Sequence, residues 1–190
     1  MQIMPLAIAG AWVANLDVHI DKRGSLQEWF KFDEILEATG YKFETSQANF
    51  SRSNRYVVRG IHYSLAKSGQ AKWITCLSGA IRDFIVDIRV GSPTYGNWIA
   101  IDLTAKNANA ILIGEGLGHA FIALEDDSFV SYLLTSNYSN HEEFQINPLD
   151  ESIGIDWTTD KNMLMLSEKD ASAPTLIQQY NLNKLPIYML

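Results

Sequence analysis

The chain is nearly without cysteine. Cys76 is its only one in 190 residues, which excludes an internal disulfide framework. It stands in the apolar run "WITCLSG", where a small buried thiol is the expected role rather than a nucleophile. Proline is also scarce, with five residues, and no low-complexity segment, internal repeat or linker interrupts the chain. No apolar run reaches membrane-spanning length. Basic charge is in deficit: the net charge is −7 and the pI is near 5.0. That balance argues against general affinity for nucleic acid and leaves room only for a local basic pocket. The N-terminal stretch "MQIMPLAIAGAWVANLD" is mildly apolar but has neither a basic start nor a clear cleavage site, so a cytoplasmic protein without a signal peptide is expected. Histidine pairs spaced for metal are missing as well. No His-x-His or His-x-x-x-His occurs, and a mononuclear metal site, which needs three or four convergent ligands, is not expected.

With 47% hydrophobic and 19% charged residues, the composition is that of a globular protein, and the length suits one domain over 1–190. The pattern is mostly β. "SLQEWFKF" (25–32) reads as a strand, and "DEILEATG" (33–40) as a short helix with Asp33 as N-cap and Gly40 as stop signal. Eight short segments follow, from "KFETSQANFS" through "RYVVRGIHYS" to "FVSYLLTS", rich in β-branched and aromatic residues and separated by turn signals such as "GSPTYG" and "GEGLG". In "AIRDFIVDIRV", Phe84, Val86 and Ile88 alternate with Asp83, Ile85, Asp87 and Arg89. The charged face suits solvent or the polar interior of a ligand-holding barrel. Many short strands with one early helix predict a β-sandwich or a jelly-roll barrel. The tail is expected to hold a loop and then a short helix starting near Pro174.

Four histidines are present, His19, His62, His119 and His141. His62 falls mid-strand in "VVRGIHYS" and His119 follows the glycine-rich turn. Acid–base chemistry without metal needs a base, an acid on the other side of the substrate, and groups that stabilise developing charge. His62 fits the base. Tyr132 is a candidate acid, with Tyr63, Tyr95 and Tyr138 as rivals. Arg59 and Lys72 lie on predicted strands, where a solvated position is the simplest reading of each. A regular strand puts Arg59 and His62 on opposite faces, and the glycine between them marks a bend or a close backbone approach.

Taken in order, "DKRGSLQEWF" (21–30), "SQANFSRS" (46–53), "VVRGIHY" (57–63), "GQAKWITCLSGAIRDFIVDIRVGSPTYGNW" (69–98), "GEGLGHAFIALEDD" (114–127), "SYLLTSNY" (131–138), "GIDW" (154–157) and "LSEKDASAPTL" (166–176) resemble the dTDP-4-dehydrorhamnose 3,5-epimerase family. The resemblance implies an all-β, cupin-like jelly-roll barrel with a few short helices and a C-terminal extension, a homodimer, and no metal or organic cofactor. It implies that a dTDP-4-keto-6-deoxy-D-glucose substrate is inverted at C3 and C5. His62 is implied as the base, Asp170 as its dyad partner, Lys72 as the group beside the C4 oxygen, and Tyr132 as the acid on the opposite face. Arg59 is implied to bind the diphosphate and His119 to lie in the sugar pocket. Arg23, Glu28, Gln47, Asn49, Glu143 and Lys169 are implied to surround the nucleotide and phosphates, and Tyr138 to stack on the thymine. Arg23 and Glu28 lie on a strand that family members tend to lend to the partner subunit. "RGIHYS" and "GLGHAF" resemble the branch making deoxysugars for secondary metabolites, which includes enzymes inverting C5 alone or C3 alone. A non-catalytic sugar-nucleotide-binding jelly roll needs the pocket but not His62, Tyr132 and Asp170 together. A metal-dependent cupin oxygenase needs a ligand set that the sequence does not offer.

Overall fold

The computed structural model describes residues 1–189. Two antiparallel sheets face each other. The six-stranded sheet runs β1 (Gln2–Pro5), β2 (Ala11–Asn15), β10 (Asn109–Ile113), β7 (Lys72–Ser78), β12 (Ser128–Leu134) and β5 (Gln47–Ser53). The five-stranded sheet runs β13 (Glu143–Gln145), β6 (Val58–Ser64), β11 (Gly118–Ala123), β8 (Ala80–Val86) and β9 (Trp98–Thr104). The hairpin β3 (Val18–Asp21) and β4 (Gly24–Gln27) stands apart as its own two-stranded sheet. The arrangement is the jelly-roll barrel that the spacing of short strands predicts.

Side-chain alternation explains why these strands read as so apolar: several are buried on both faces. Ile81 and Ile85 of β8 point into the barrel and pack with Ile74, Ile111, Phe121 and Val130. Phe84 and Val86 point away from it, yet they are fully buried too. They meet Ile146, Ile153, Trp157, Leu176 and Leu185, supplied by the chain after β13. Phe84 contacts Trp157 edge-to-face at 4.7 Å. Each such burial contributes about 1.5–3 kcal/mol. The six-stranded sheet is covered likewise on its outer face, where Ile35 and Phe43 pack on Trp73 and Leu112. Asp83 therefore lies on an interior face, not in solvent.

Two local readings are corrected. The strand predicted over 25–32 stops at Gln27, because Trp29 and Phe30 turn inward. The Trp29 carbonyl accepts the indole N–H of Trp73 at 2.7 Å, and the Phe30 ring meets Phe43 and Trp73 edge-on. Helix α1 spans Phe32–Thr39 with Lys31 as N-cap, so Asp33 sits in its first turn, where its charge favours the exposed amides; Gly40, at φ 70°, ends it as expected. The C-terminal helix α3 (Leu176–Asn181) starts near Pro174 as expected, its first turn fixed by a reciprocal capping box between the Thr175 hydroxyl and the Gln178 side chain. A four-residue helix, α2 (Glu168–Ala171), occupies part of the expected loop. Among the described residues no helix is long and apolar enough to cross a membrane.

Candidate active site

One end of the barrel interior is polar. A pocket of about 230 Å³ opens there, lined by Arg59 and His62 of β6, Lys72 of β7, His119 of β11, Tyr132 of β12 and Asn49 of β5, among others. Arg59 and His62 reach it together because β6 is not regular. His119 pairs with His62, but Phe121, two residues on, pairs with Arg59, three residues back. The extra residue is a bulge, which re-aims one side chain. Gly60 makes it possible. Its φ is +110°, and a Cβ there would lie 2.4 Å from the His119 carbonyl oxygen and 2.8 Å from Ala120. Gly60→Ala is therefore expected to cost roughly 2–6 kcal/mol, combining backbone strain with overpacking. Urea unfolding measures it; an unchanged midpoint would show that the bulge tolerates a side chain.

His62 stands half-exposed in the pocket, with Nε2 2.7 Å from Asp170 Oδ1. Asp170 is buried and lies on α2, whose N-cap Ser167 accepts the Asp170 N–H at 3.0 Å. Burial pushes the Asp170 carboxyl up, but hydrogen bonds from His62, Ser167 and the Gly60 amide, together with the imidazole's charge, hold it below the usual range. As a carboxylate it accepts the Nε2 proton and leaves the Nδ1 lone pair for the pocket. The same contact stabilises an imidazolium once Nδ1 takes a proton.

Lys72 is buried, and its ammonium reaches the His62 carbonyl at 3.4 Å. Burial lowers its pKa, and Glu143 and Asp83 oppose that effect. Glu143 accepts a hydrogen bond from Gln70 at 2.7 Å. His119 is buried and bonds through Nε2 to Asp83 Oδ2 at 2.7 Å. Burial pushes the Asp83 carboxyl up and the His119 imidazole down. Tyr132 belongs to the other sheet, where it pairs with Asn49 and Ile74. Of its rivals, Tyr63 is fully buried with its hydroxyl donated to the Lys184 carbonyl at 2.8 Å, and Tyr95 does not line the pocket. Tyr138 does line it, exposed at the mouth.

The pocket's outer end suits an anion and a flat ring. Arg59 Nε donates to the Ser53 hydroxyl at 3.0 Å, and Lys169 stands on the same wall. Gln47 donates to Asn49 Oδ1 at 2.9 Å and accepts the Tyr138 N–H at 2.7 Å, which fixes the tyrosine at the rim. Among the described residues no group of three or more His, Cys, Asp or Glu side chains is arranged to hold a metal ion.

The family model for dTDP-4-dehydrorhamnose 3,5-epimerase matches residues 5–178. The chain belongs to this family. It is similar to a dTDP-4-dehydrorhamnose 3,5-epimerase of Mycolicibacterium smegmatis, 44% identical over 99% of this chain and 92% of that one. It is similar to a dTDP-4-dehydro-6-deoxyglucose 3-epimerase of a Streptomyces species, 42% identical over 97% of this chain and 93% of that one. Among solved structures, a 4-keto-6-deoxy sugar epimerase from the novobiocin gene cluster of Streptomyces spheroides superposes with TM-score 0.95 at 39% identity, covering 99% and 94% of the two chains. A 3'-monoepimerase from Streptomyces bikiniensis in complex with dTDP-quinovose superposes with TM-score 0.91 at 40% identity, covering 97% and 92%. The protein is thus an isomerase of the dTDP-sugar epimerase family.

Three of the residues expected around the epimerase's nucleotide do not line the pocket: Gln47, which braces Tyr138 at the rim, Arg23 and Glu28. Arg23 sits at the tip of the β3–β4 hairpin, 84% exposed and paired with Asp21 at 2.5 Å. Glu28 follows that hairpin and pairs with Lys31 at 2.7 Å. Conversely, Ser51, Gln70, Phe121 and Phe144 line the pocket and Ser53 braces Arg59, none of them singled out from the sequence. The two-residue period from Gln47 through Asn49 carried the signal for both serines.

Proposed function

We propose that this epimerase inverts C3 and C5 of dTDP-4-keto-6-deoxy-D-glucose by proton abstraction next to the C4 ketone, with no metal or organic cofactor. One observation carries the reading: base and acid candidates belong to opposite sheets. His62 comes from the five-stranded sheet and Tyr132 from the six-stranded sheet, and both line one pocket. A flat enolate between them loses its proton to one face and regains one from the other, so the carbon inverts. Nδ1 of His62 takes the proton, Asp170 balances the imidazolium, and the Lys72 ammonium stabilises the negative C4 oxygen. Arg59 and Lys169 hold the diphosphate and Tyr138 stacks on the thymine.

The same pair serves both carbons if the sugar shifts between steps. A mono-epimerase is the second reading, favoured by the 42%-identical Streptomyces 3-epimerase, which matches almost as well as the 3,5-epimerase. Proton NMR of the sugar after incubation in deuterium oxide decides. We expect label at C5 first and then at C3, with both inverted. Label at one carbon alone after full exchange there would establish the mono-epimerase. Label at neither, with the nucleotide sugar bound, would leave only a binding protein.

A homodimer completes the reading. Arg23 and Glu28 lie outside the pocket of their own chain, and their hairpin exposes Ile20 to 81%. Edge strand β5 is open on one side and exposes Phe50 to 71%. A second copy's hairpin laid along β5 covers both apolar groups and brings Arg23 and Glu28 toward Asn49. Full activity in a species that sediments as a monomer would overturn this part.

A further inference from the structure

Asp83 is a fully buried carboxyl to which the reaction just described gives no task. Its surroundings are not those of a structural ion pair. Oδ2 bonds His119 Nε2 at 2.7 Å, while Oδ1 has no hydrogen-bond partner. Asp83 lies on β8, beside β11, and points into the barrel toward the pocket that His119 lines. His119 is also the direct cross-strand partner of His62. Two imidazoles therefore stand side by side on one wall, each with Nε2 committed to a buried carboxyl, one from α2 and one from β8. They differ in access: His62 is half-exposed and His119 is buried.

We propose that Asp83 is a positioning residue which holds the His119 proton on Nε2, so that Nδ1 presents a lone pair to the sugar hydroxyl next to the C4 ketone. A carboxylate only accepts, so the proton between the two groups stays on nitrogen. His119 Nδ1 is then an acceptor beside the Lys72 ammonium, which is only a donor. A donor from β7 and an acceptor from β11, supplied by the two facing sheets to one pocket, match a ketone oxygen and the hydroxyl on the adjacent carbon. The pair reads an α-hydroxy ketone and selects against a sugar that lacks that hydroxyl. Burial disfavours the charged form of His119, which suits a fixed acceptor more than a second base. The inference rests on the epimerase reading of the pocket and adds a selection rule to it.

Two measurements test it. Long-range proton–nitrogen NMR of the wild-type protein reads the His119 tautomer directly. The expected pattern is a protonated Nε2 and a bare Nδ1 from pH 6 to pH 9. A proton on Nδ1, as a protonated Asp83 would impose, overturns the proposal. The second is kcat/KM for Asp83→Asn with the 4-keto sugar and with its 3-deoxy analogue. The amide can donate to Nε2 and turn Nδ1 into a donor. A loss of about 10- to 100-fold is expected with the hydroxylated sugar, the size of one misplaced buried hydrogen bond, and less than about 3-fold with the analogue. Equal losses on both substrates, or none on either, would refute the role. Rescue by Asp83→Glu with restored preference supports it further. Absence of turnover by the wild-type protein sinks the epimerase reading itself, whatever the tautomer, whereas turnover with the wrong tautomer sinks this inference alone.

Discussion

His62→Asn is expected to leave a folded protein whose turnover falls by about 100- to 10,000-fold, the range for losing a general base. Asparagine fills nearly the same space at a half-exposed position, so packing changes little. Its amide can still donate to Asp170, but it offers no lone pair able to take a carbon-bound proton near neutral pH. Solvent exchange at C5 and C3 should vanish together with inversion, because both begin with abstraction. Steady-state kinetics, with circular dichroism as the folding control, measures this. Activity within a few-fold of wild type would remove His62 from the role of base.

Tyr132→Phe separates what His62→Asn abolishes together. The base remains, the ketone is still polarised by Lys72, and the proton can still leave and return on the His62 side. What is lost is the phenol on the opposite sheet. The expected product in deuterium oxide is labelled sugar of unchanged configuration, with inversion reduced by at least about 100-fold. Inversion at the normal rate would show that another donor, such as water, reaches that face.

Where the sequence was readable, length and composition lay behind it. β7, β8 and β12 run for seven residues each, long enough for their β-branched and aromatic content to mark them as strands between turn signals. β13 has three residues and α2 has four, too few to carry any period, and both are fixed by tertiary contacts. Asp83 illustrates a different limit. A charged residue alternating with Phe84 and Val86 looks solvent-facing, yet β8 is covered on both sides, and only the packed structure separates an exposed face from a polar interior. His62 and Tyr132 were candidates by residue type, whereas Asp170 as the proposed partner came only from ordered motifs that resemble a family, since no local pattern links it to His62 across 108 residues. The bulge at Gly60 was foreshadowed by the glycine, but its direction was not. Arg23 and Glu28 do not line the pocket of their own chain, and their part in a site rests on the proposed homodimer.

Placing the two proton-handling side chains on separate sheets has an evolutionary consequence. On the proposed mechanism, His62, with Asp170 behind it, takes the proton from the five-stranded side, and Lys72 of β7 stabilises the enolate from the other sheet. The hand of the product then depends on Tyr132 of β12. A drift in β12 that tilts the phenol by a fraction of its length alters stereochemical outcome and leaves carbanion chemistry untouched. One lineage can then diversify its sugars by changing handedness without rebuilding the machinery that breaks the C–H bond. Relatives of nearly equal identity that bear 3-epimerase and 3,5-epimerase names are the distribution such a division of labour produces.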